Sequence, residues 1–375
     1  MREGTFSSAL HDPRTAVVLG RWLGAALLTC FLTGLFSHLV QESPAWLPSR
    51  PVNGYRVTQG LHVISGIAAV PLLVAKLWTV YPKLFEWPPV RSVLHALERL
   101  GIAVLVAAML LELLTGLFNT LQWYPWPFPF RQTHFWLGWL ATGGLLLHVA
   151  AKLPQIRTHW RRARRAARNT GTTGTTGTGP VEPQRRAFLT AVAASVGLVT
   201  LTTAGQSVPW LRSLDLFAPR RPDLGPQGLP VNRTAAQAGT TTLPADWRLE
   251  VGGPHPVRLS LDELARLPQY EAELPIACVE GWSASARWGG VRIRDLLALA
   301  GVPAGTALRI TSLELDGPYR VTELPAEHAR DPLTLLALRV NGEVLAPDHG
   351  YPARIIAPNR PGVLQTKWVT RIEVG

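Results

Sequence analysis

The sequence predicts a multi-domain protein: an N-terminal all-α transmembrane bundle of four spans plus a fifth anchor helix, followed by a C-terminal α+β domain. Three observations predict it. Apolar residues crowd into the first 205 positions, where charge is scarce for long runs. A basic run without a single acid follows the fourth apolar stretch. Beyond Trp247 the pattern changes to short alternating segments punctuated by Gly, Pro and Asn-Gly.

A chain of 375 residues can bury two separate cores. Its net charge of +12 has a local origin, since seven Lys and Arg residues lie between Lys152 and Arg168. Basic runs beside apolar spans mark a cytoplasmic membrane face, so the charge is read as topology and not as nucleic-acid binding. The two cysteines, Cys30 and Cys278, exclude a disulfide framework. Cys30 sits in an apolar run as a small hydrophobe.

Val17–Val40, Leu61–Val80, Val93–Phe118 and His134–Leu153 are each close to the roughly 20 residues a bilayer requires. Between the third and fourth, QWYPWPFPF from Gln122 to Phe130 carries the Trp, Tyr and Pro expected at headgroup level. These spans define a domain over residues 1–153. Residues 154–186 hold the rest of the basic stretch and the Gly/Thr repeat from Asn169 to Gly179, expected to be a flexible linker. Residues 187–205 form the fifth span, preceded by Gln184-Arg185-Arg186-Ala187-Phe188-Leu189, which is similar to the core of a twin-arginine export signal. Arg185 and Arg186 also read as ordinary positive-inside flanking residues. Both readings place the arginines in the cytoplasm and everything after Gln206 outside, giving a multi-pass protein of the cell membrane with an extracytoplasmic C-terminal domain.

Residues 206–228 are a connector and 229–375 the globular domain. Within it, Trp247–Val251 alternates like a strand, and Leu261–Leu267 suits a short helix capped by Ser260. Val291–Ala300 reads as a helix closed by Gly301, and Leu338–Leu345 as a hairpin around Asn341-Gly342. Ala353–Ile356 and Val369–Val374 fit strands.

The chemistry concentrates in IACVEGWSASARWGGVRIRDLLALAG, Ile276 to Gly301. It puts Cys278 in a Gly-containing turn flanked by Trp282 and Trp288. A thiolate there serves as a nucleophile or as a soft metal ligand, and the residues alone leave both open. A second block, NGEVLAPDHGYPARIIAPNRPGVLQTKWVTRIEV, runs from Asn341 to Val374. Together the two blocks resemble the sulfite oxidase family of molybdopterin enzymes, in the compact form also seen in periplasmic methionine sulfoxide reductases. The resemblance covers about Leu229 to the end. It implies a molybdopterin-binding fold, Cys278 as the protein's bond to molybdenum, and His349, Arg354 and Lys367 as groups that hold the phosphate-bearing cofactor, each also readable as a surface charge.

Pro230-Val231-Asn232-Arg233-Thr234 is similar to a further cofactor-contacting segment, which implies roles for Asn232 and Arg233. Arg287 is read either as a positive charge beside an anionic substrate or as a solvated loop residue. After Cys278 the chain has Val279, Glu280 and Gly281 where animal-type sulfite oxidases have an Arg-rich continuation, so sulfite itself is not implied.

Histidines within apolar spans are costly and demand an explanation. His134 and His148 are 14 residues apart on one predicted helix, about 21 Å of rise. Paired as His62 with His134 and His95 with His148, they match two bis-histidine haem b sites. The other reading makes them interfacial histidines at helix ends, with His38 left over. Lys76 snorkels to the cytoplasmic face, and Glu112 is an intramembrane acid for which the sequence offers no partner.

The expected function is therefore a membrane-bound molybdenum-cofactor oxidoreductase. It transfers an oxygen atom on a small oxo substrate outside the cytoplasm and exchanges electrons through the membrane domain with a quinone or another carrier. The alternatives are a membrane haem protein whose outer domain is a non-catalytic binding module, and a thiol hydrolase using Cys278 with His328 or His349.

Overall fold

A computed structural model describes residues 11–169, 181–218, 220–221 and 223–375. Five helices are long and apolar enough to cross a membrane. They are α1 (Pro13–Glu42), α2 (Gly54–Leu84), α3 (Val93–Leu121), α4 (Phe130–Asn169) and α5 (Val181–Leu201). Ser92 caps α3 by accepting the backbone N–H of His95 at 3.1 Å, and Gln122 ends that helix in the left-handed region.

Two boundaries differ from expectation. The fourth helix does not stop at Leu153 but continues through the basic stretch to Asn169. The Ala/Arg run supplies strong helix formers, so propensity extends the helix past the end of the apolar face. The fifth helix begins six residues before Ala187, so the twin-arginine-like hexamer lies inside its first turns. Apart from Asn169, the Gly/Thr repeat lies outside the described residues.

The chain forms two compact units. One takes the residues up to Phe31 together with Ser65–Thr200; the other takes Leu32–Ile64 together with Leu201–Gly375. The first unit packs around Leu19, Leu23, Ala69, Leu73, Leu105 and Met109.

The second unit holds the C-terminal domain. After α6 (Ala235–Ala238) come β1 (Leu249–Val251), β2 (Val257–Leu259), α7 (Leu261–Arg266), β3 (Tyr270–Ala277) and β4 (Ser283–Arg292). Then follow α8 (Ile293–Leu299), β5 (Leu308–Ser312), β6 (Val321–Leu324), α9 (Ala326–Arg330), β7 (Leu335–Val340), β8 (Glu343–Val344), β9 (Arg354–Ile356) and β10 (Val369–Val374). One sheet has the order β2-β1-β10-β5-β6; the other runs β3-β4-β7-β8, with β9 also on β7. All pairings are antiparallel except β1 with β10.

Alternation makes β7 the divider between two cores. Leu336 and Leu338 point into the larger core with Leu249, Leu296, Ile310 and Ile372. Leu335 and Ala337 point the other way, into a second core that contains Cys278. The Ser260–Glu263 capping box starts α7, and Asn341 and Gly342 turn the β7–β8 hairpin with φ of 51° and 88°. At Gly290 a bulge brings β4 against β7, and an added Cβ would lie 2.1 Å from the Leu336 carbonyl, so glycine is required there.

Candidate molybdenum-cofactor site

Cys278 occupies the tight turn between β3 and β4. Its N–H donates to the Trp282 carbonyl at 2.9 Å and its carbonyl accepts from Gly281 at 3.1 Å. Gly281 supports this turn with φ of 97°, a conformation side chains disfavour. The Cys278 side chain is 1% exposed and packs with Trp282, Ala284, Ala286 and Trp288. Burial, then the charge of Glu280, raises the thiol well above its ordinary range, while Lys367 opposes the shift. A free thiolate nucleophile is disfavoured there, and a bound cation would reverse the balance.

Lys367 lies within electrostatic reach of that sulfur and is buried. Its Nζ donates to the carbonyls of Arg233 at 2.9 Å and Asp348 at 2.8 Å, leaving one N–H unused. Burial and, second, the nearby Arg354 bring it down to about 7. Arg354, on β9, donates to the carbonyls of His349 and Gln365 at 3.2 Å each. Its guanidinium lies 5.1 Å from the Trp288 ring and its Nε has no partner. Burial lowers it to about 9. The His349 Nε2 is 2.7 Å from the Pro226 carbonyl, so that nitrogen carries the proton; burial lowers the imidazole to about 4 and keeps it neutral. Gly350 makes this approach possible, because an added Cβ would meet Lys367 Cβ at 2.9 Å and Arg354 Cβ at 3.2 Å.

Among the described residues, neither Arg354 nor Lys367 forms an ion pair with a carboxylate; both spend their donors on backbone carbonyls. Two buried basic groups without a direct carboxylate partner, one of them within electrostatic reach of a buried sulfur, are costly unless an anion joins them. A metal-pterin with its phosphate supplies that anion, and the donor set fits it.

The structure thus brings together Cys278, His349, Arg354 and Lys367. It places two other candidates apart from that cluster. The Arg233 guanidinium is taken by Glu314 at 3.1 Å and Asp316 at 2.9 Å, so this residue reaches the cluster through its carbonyl and not its charge. Asn232 is half-buried in the same segment. Arg287 is exposed on β4, on the face opposite Ala284, Ala286 and Trp288, because strand alternation turns it away from the Cys278 core.

Sequence reasoning treated Glu280 only as a departure from the related enzymes. Its buried carboxylate accepts Trp282 Nε1 at 2.9 Å and reaches the Cys278 thiol. Arg360 was missed as well; it is buried and donates to the carbonyls of Glu323 and Leu364. Its neighbour Pro361 bridges to Ala277, one residue before the cysteine.

In the helices, Glu112 finds its partner in His134, at 3.2 Å from Nε2, while Thr115 meets Nδ1 at 3.0 Å. The His62 Nδ1 meets Thr33 at 3.2 Å. His95 lies in the first turn of α3, where its Nδ1 accepts the Arg91 N–H at 3.3 Å. Glu98, paired with Lys152 at 2.6 Å, lies within electrostatic range of both His95 and His148. No cluster of three or more His, Cys, Asp or Glu suited to a metal ion occurs among the described residues.

Residues 236–375 match the model of the oxidoreductase molybdopterin binding domain family. An uncharacterized oxidoreductase of Bacillus subtilis, YuiH, is 35% identical over 130 residues, which are 34% of this chain and 64% of that protein. The protein-methionine-sulfoxide reductase catalytic subunit MsrP of Gluconobacter oxydans is 34% identical over 157 residues, covering 37% of this chain and 50% of that one. The mitochondrial sulfite oxidase of Drosophila melanogaster is 33% identical over 158 residues, 35% and 27% of the respective chains. The chain therefore spans less than two thirds of the length of each of these relatives. The matched residues include the Cys278 turn and the buried cations, and residues 236–375 are similar to molybdopterin-binding oxidoreductase domains, those of sulfite oxidase and MsrP among them.

Proposed function

We propose that the chain is a membrane-bound molybdenum-cofactor oxidoreductase acting on a small oxo substrate outside the cytoplasm, with electrons exchanged through its helices with a quinone or another carrier. The observation that carries this reading is the buried pair Arg354 and Lys367, which spend their donors on backbone carbonyls with no direct carboxylate ion pair, Lys367 within electrostatic reach of the Cys278 sulfur. When bound, the cofactor supplies a two-electron metal centre suited to oxygen-atom exchange. Cys278 would hold the metal. Arg354 and Lys367 would hold the phosphate, and neutral His349 would brace the loop that carries them. The walls of Trp282 and Trp288 keep bulk water from the sulfur.

The methionine-sulfoxide reductase and sulfite oxidase relatives support a sulfur-oxygen substrate class. The five apolar helices support membrane attachment, and the arginines at positions 185 and 186 support the outward orientation. The two haem pairings, His62 with His134 and His95 with His148, stay part of this reading on their spacing in the sequence.

Metal analysis of the detergent-purified chain tests the central assignment. Stoichiometric molybdenum in the unaltered protein and its loss in Cys278→Ser are expected; equal molybdenum in both rejects the ligand. A reduced-minus-oxidised absorbance spectrum is expected to show b-type haem, and a flat trace removes haem from the account.

A further inference from the structure

The Cys278 turn is held from outside the segment that matches the molybdopterin-binding family. That match begins at residue 236, yet the carbonyls of the turn are met by side chains upstream of it. Ser207 Oγ donates to the Gly281 carbonyl at 2.6 Å, and Gln59 Nε2 donates to the Val279 carbonyl at 3.4 Å. Gln59 is 4% exposed and Ser207 6% exposed. Gln59 is steadied in turn, because its Oε1 accepts from Ser37 Oγ at 3.3 Å, and that hydroxyl also meets the Tyr55 hydroxyl at 2.8 Å. Tyr55 packs with Val40, Leu47 and Ala277, the residue before the cysteine. All of these residues belong to one compact unit.

The close fit is built into the backbone. An added Cβ at Gly60 would stand 3.3 Å from Ser207 Cβ, so α2 and the segment after α5 approach each other where both reach the turn. These contacts act on main-chain carbonyls at positions 279 and 281, on either side of Glu280. They therefore fix the orientation of the turn and not the charge of its side chains.

We propose that Gln59 and Ser207 are positioning residues for the metal ligand: through the Val279 and Gly281 carbonyls, they set the direction in which the Cys278 sulfur faces the metal. The inference rests on the reading of Cys278 as the molybdenum ligand. It assigns to α2 and the post-α5 segment a part in the metal site that the domain's relatives do not imply. Orientation of a ligand by the groups behind it is a general means of tuning a metal centre.

The test uses the full chain in detergent, as Gln59→Leu and Ser207→Ala, with Arg50→Ala as a control. Arg50 lies in the same α1–α2 connection but pairs with Asp331, away from the turn, at 3.1 Å. The readouts are molybdenum content, thermal melting, the paramagnetic resonance spectrum of the half-reduced metal, and hydrogen exchange of the Cys278 and Gly281 amides. Each turn variant is expected to shift the resonance spectrum and to speed amide exchange about fivefold, the effect of losing one ordinary hydrogen bond. Arg50→Ala should leave both unchanged.

Loss of molybdenum from a turn variant with intact melting also supports the proposal. Unaltered spectra and exchange in both variants overturn it, as does an equal shift in Arg50→Ala. Should one variant fail to fold, the other decides by the same criteria. Molybdenum absent from the unaltered chain, or undiminished in Cys278→Ser, overturns the functional reading and this inference with it, an outcome distinct from a silent spectrum in a loaded protein.

Discussion

Lys367 donates its Nζ to the backbone carbonyl of Arg233 at 2.9 Å, so a side chain near the C-terminus is tied to the main chain at the entrance of the domain. The tie explains why Arg233 belongs to the site although its guanidinium is occupied elsewhere. It also leaves Lys367 buried with its hydrogen bonds spent on carbonyls and no direct ion pair among the described residues, a state with measurable consequences.

In the cofactor-free protein, stability is expected to rise as pH increases from about 7 toward 10.5. Lys367 releases its proton near 7 when folded but near its ordinary 10.5 when unfolded, so across that window the unfolded chain holds more protons. In Lys367→Met the rise should be smaller. Melting temperature against pH checks this, and equal slopes in the two proteins would refute it.

At acid pH the same sign holds in a lower window, so acid is destabilising. His328 is 0% exposed, and burial, with Arg360 second, lowers it to about 4; His349 lies at about 4 as well. The stability that their neutrality requires is present above about 6.5 and is lost as pH falls through 4. Replacing His328 with Leu should flatten part of this acid limb in denaturation measured at a series of pH values. A limb of undiminished depth would count against the assignment.

Asn359→Ala should cost about 1–3 kcal/mol. Its Oδ1 accepts the Tyr55 N–H at 2.6 Å and its Nδ2 donates to the Pro48 carbonyl at 2.7 Å, and the variant leaves both groups without a partner. Chemical denaturation followed by tryptophan fluorescence measures the loss. A change within error would show that water takes over both bonds.

Glu112→Leu should destabilise the helical unit by about 1–3 kcal/mol, because His134 Nε2 loses its acceptor where no water replaces it. Glu112→Gln keeps an acceptor oxygen and should lie close to the unaltered chain. Thermal melting in detergent separates the two, and identical losses would assign the effect to packing.

Much of this architecture was legible in the sequence. Five apolar stretches gave five helices, and Asn341-Gly342 gave the hairpin at its own position. Val369–Val374 emerged as a strand with unchanged bounds. The segment Tyr270–Ala277 was not recognised as a strand because it contains Glu and Pro; Pro275 is tolerated there since β3 lies at the sheet edge. Val291–Arg292 read as helical but completes β4, where pairing with Leu335 and Leu336 outweighs local propensity.

For the site, the Cys278 turn and the C-terminal block located the sulfur and its cations. What remained hidden depends on sequence-distant contacts. Arg287 and Trp288 are adjacent in the chain, yet the pleat sends one to solvent and the other beneath Arg354. Glu112 had no visible partner until the helices brought His134 beside it.

The hydrogen bond between Tyr55 and Asn359 joins positions 304 residues apart, with three further helices long and apolar enough to cross a membrane encoded between them. That separation imposes an order on biogenesis. Tyr55 leaves the ribosome long before Asn359 exists, and closing so long a loop is slow. The first two helices must therefore wait with the Tyr55 N–H lacking its acceptor, exposed to proteases and mispairing until the C-terminal segment is made. Truncations that remove the last strands should then endanger the early helices as much as the domain they interrupt.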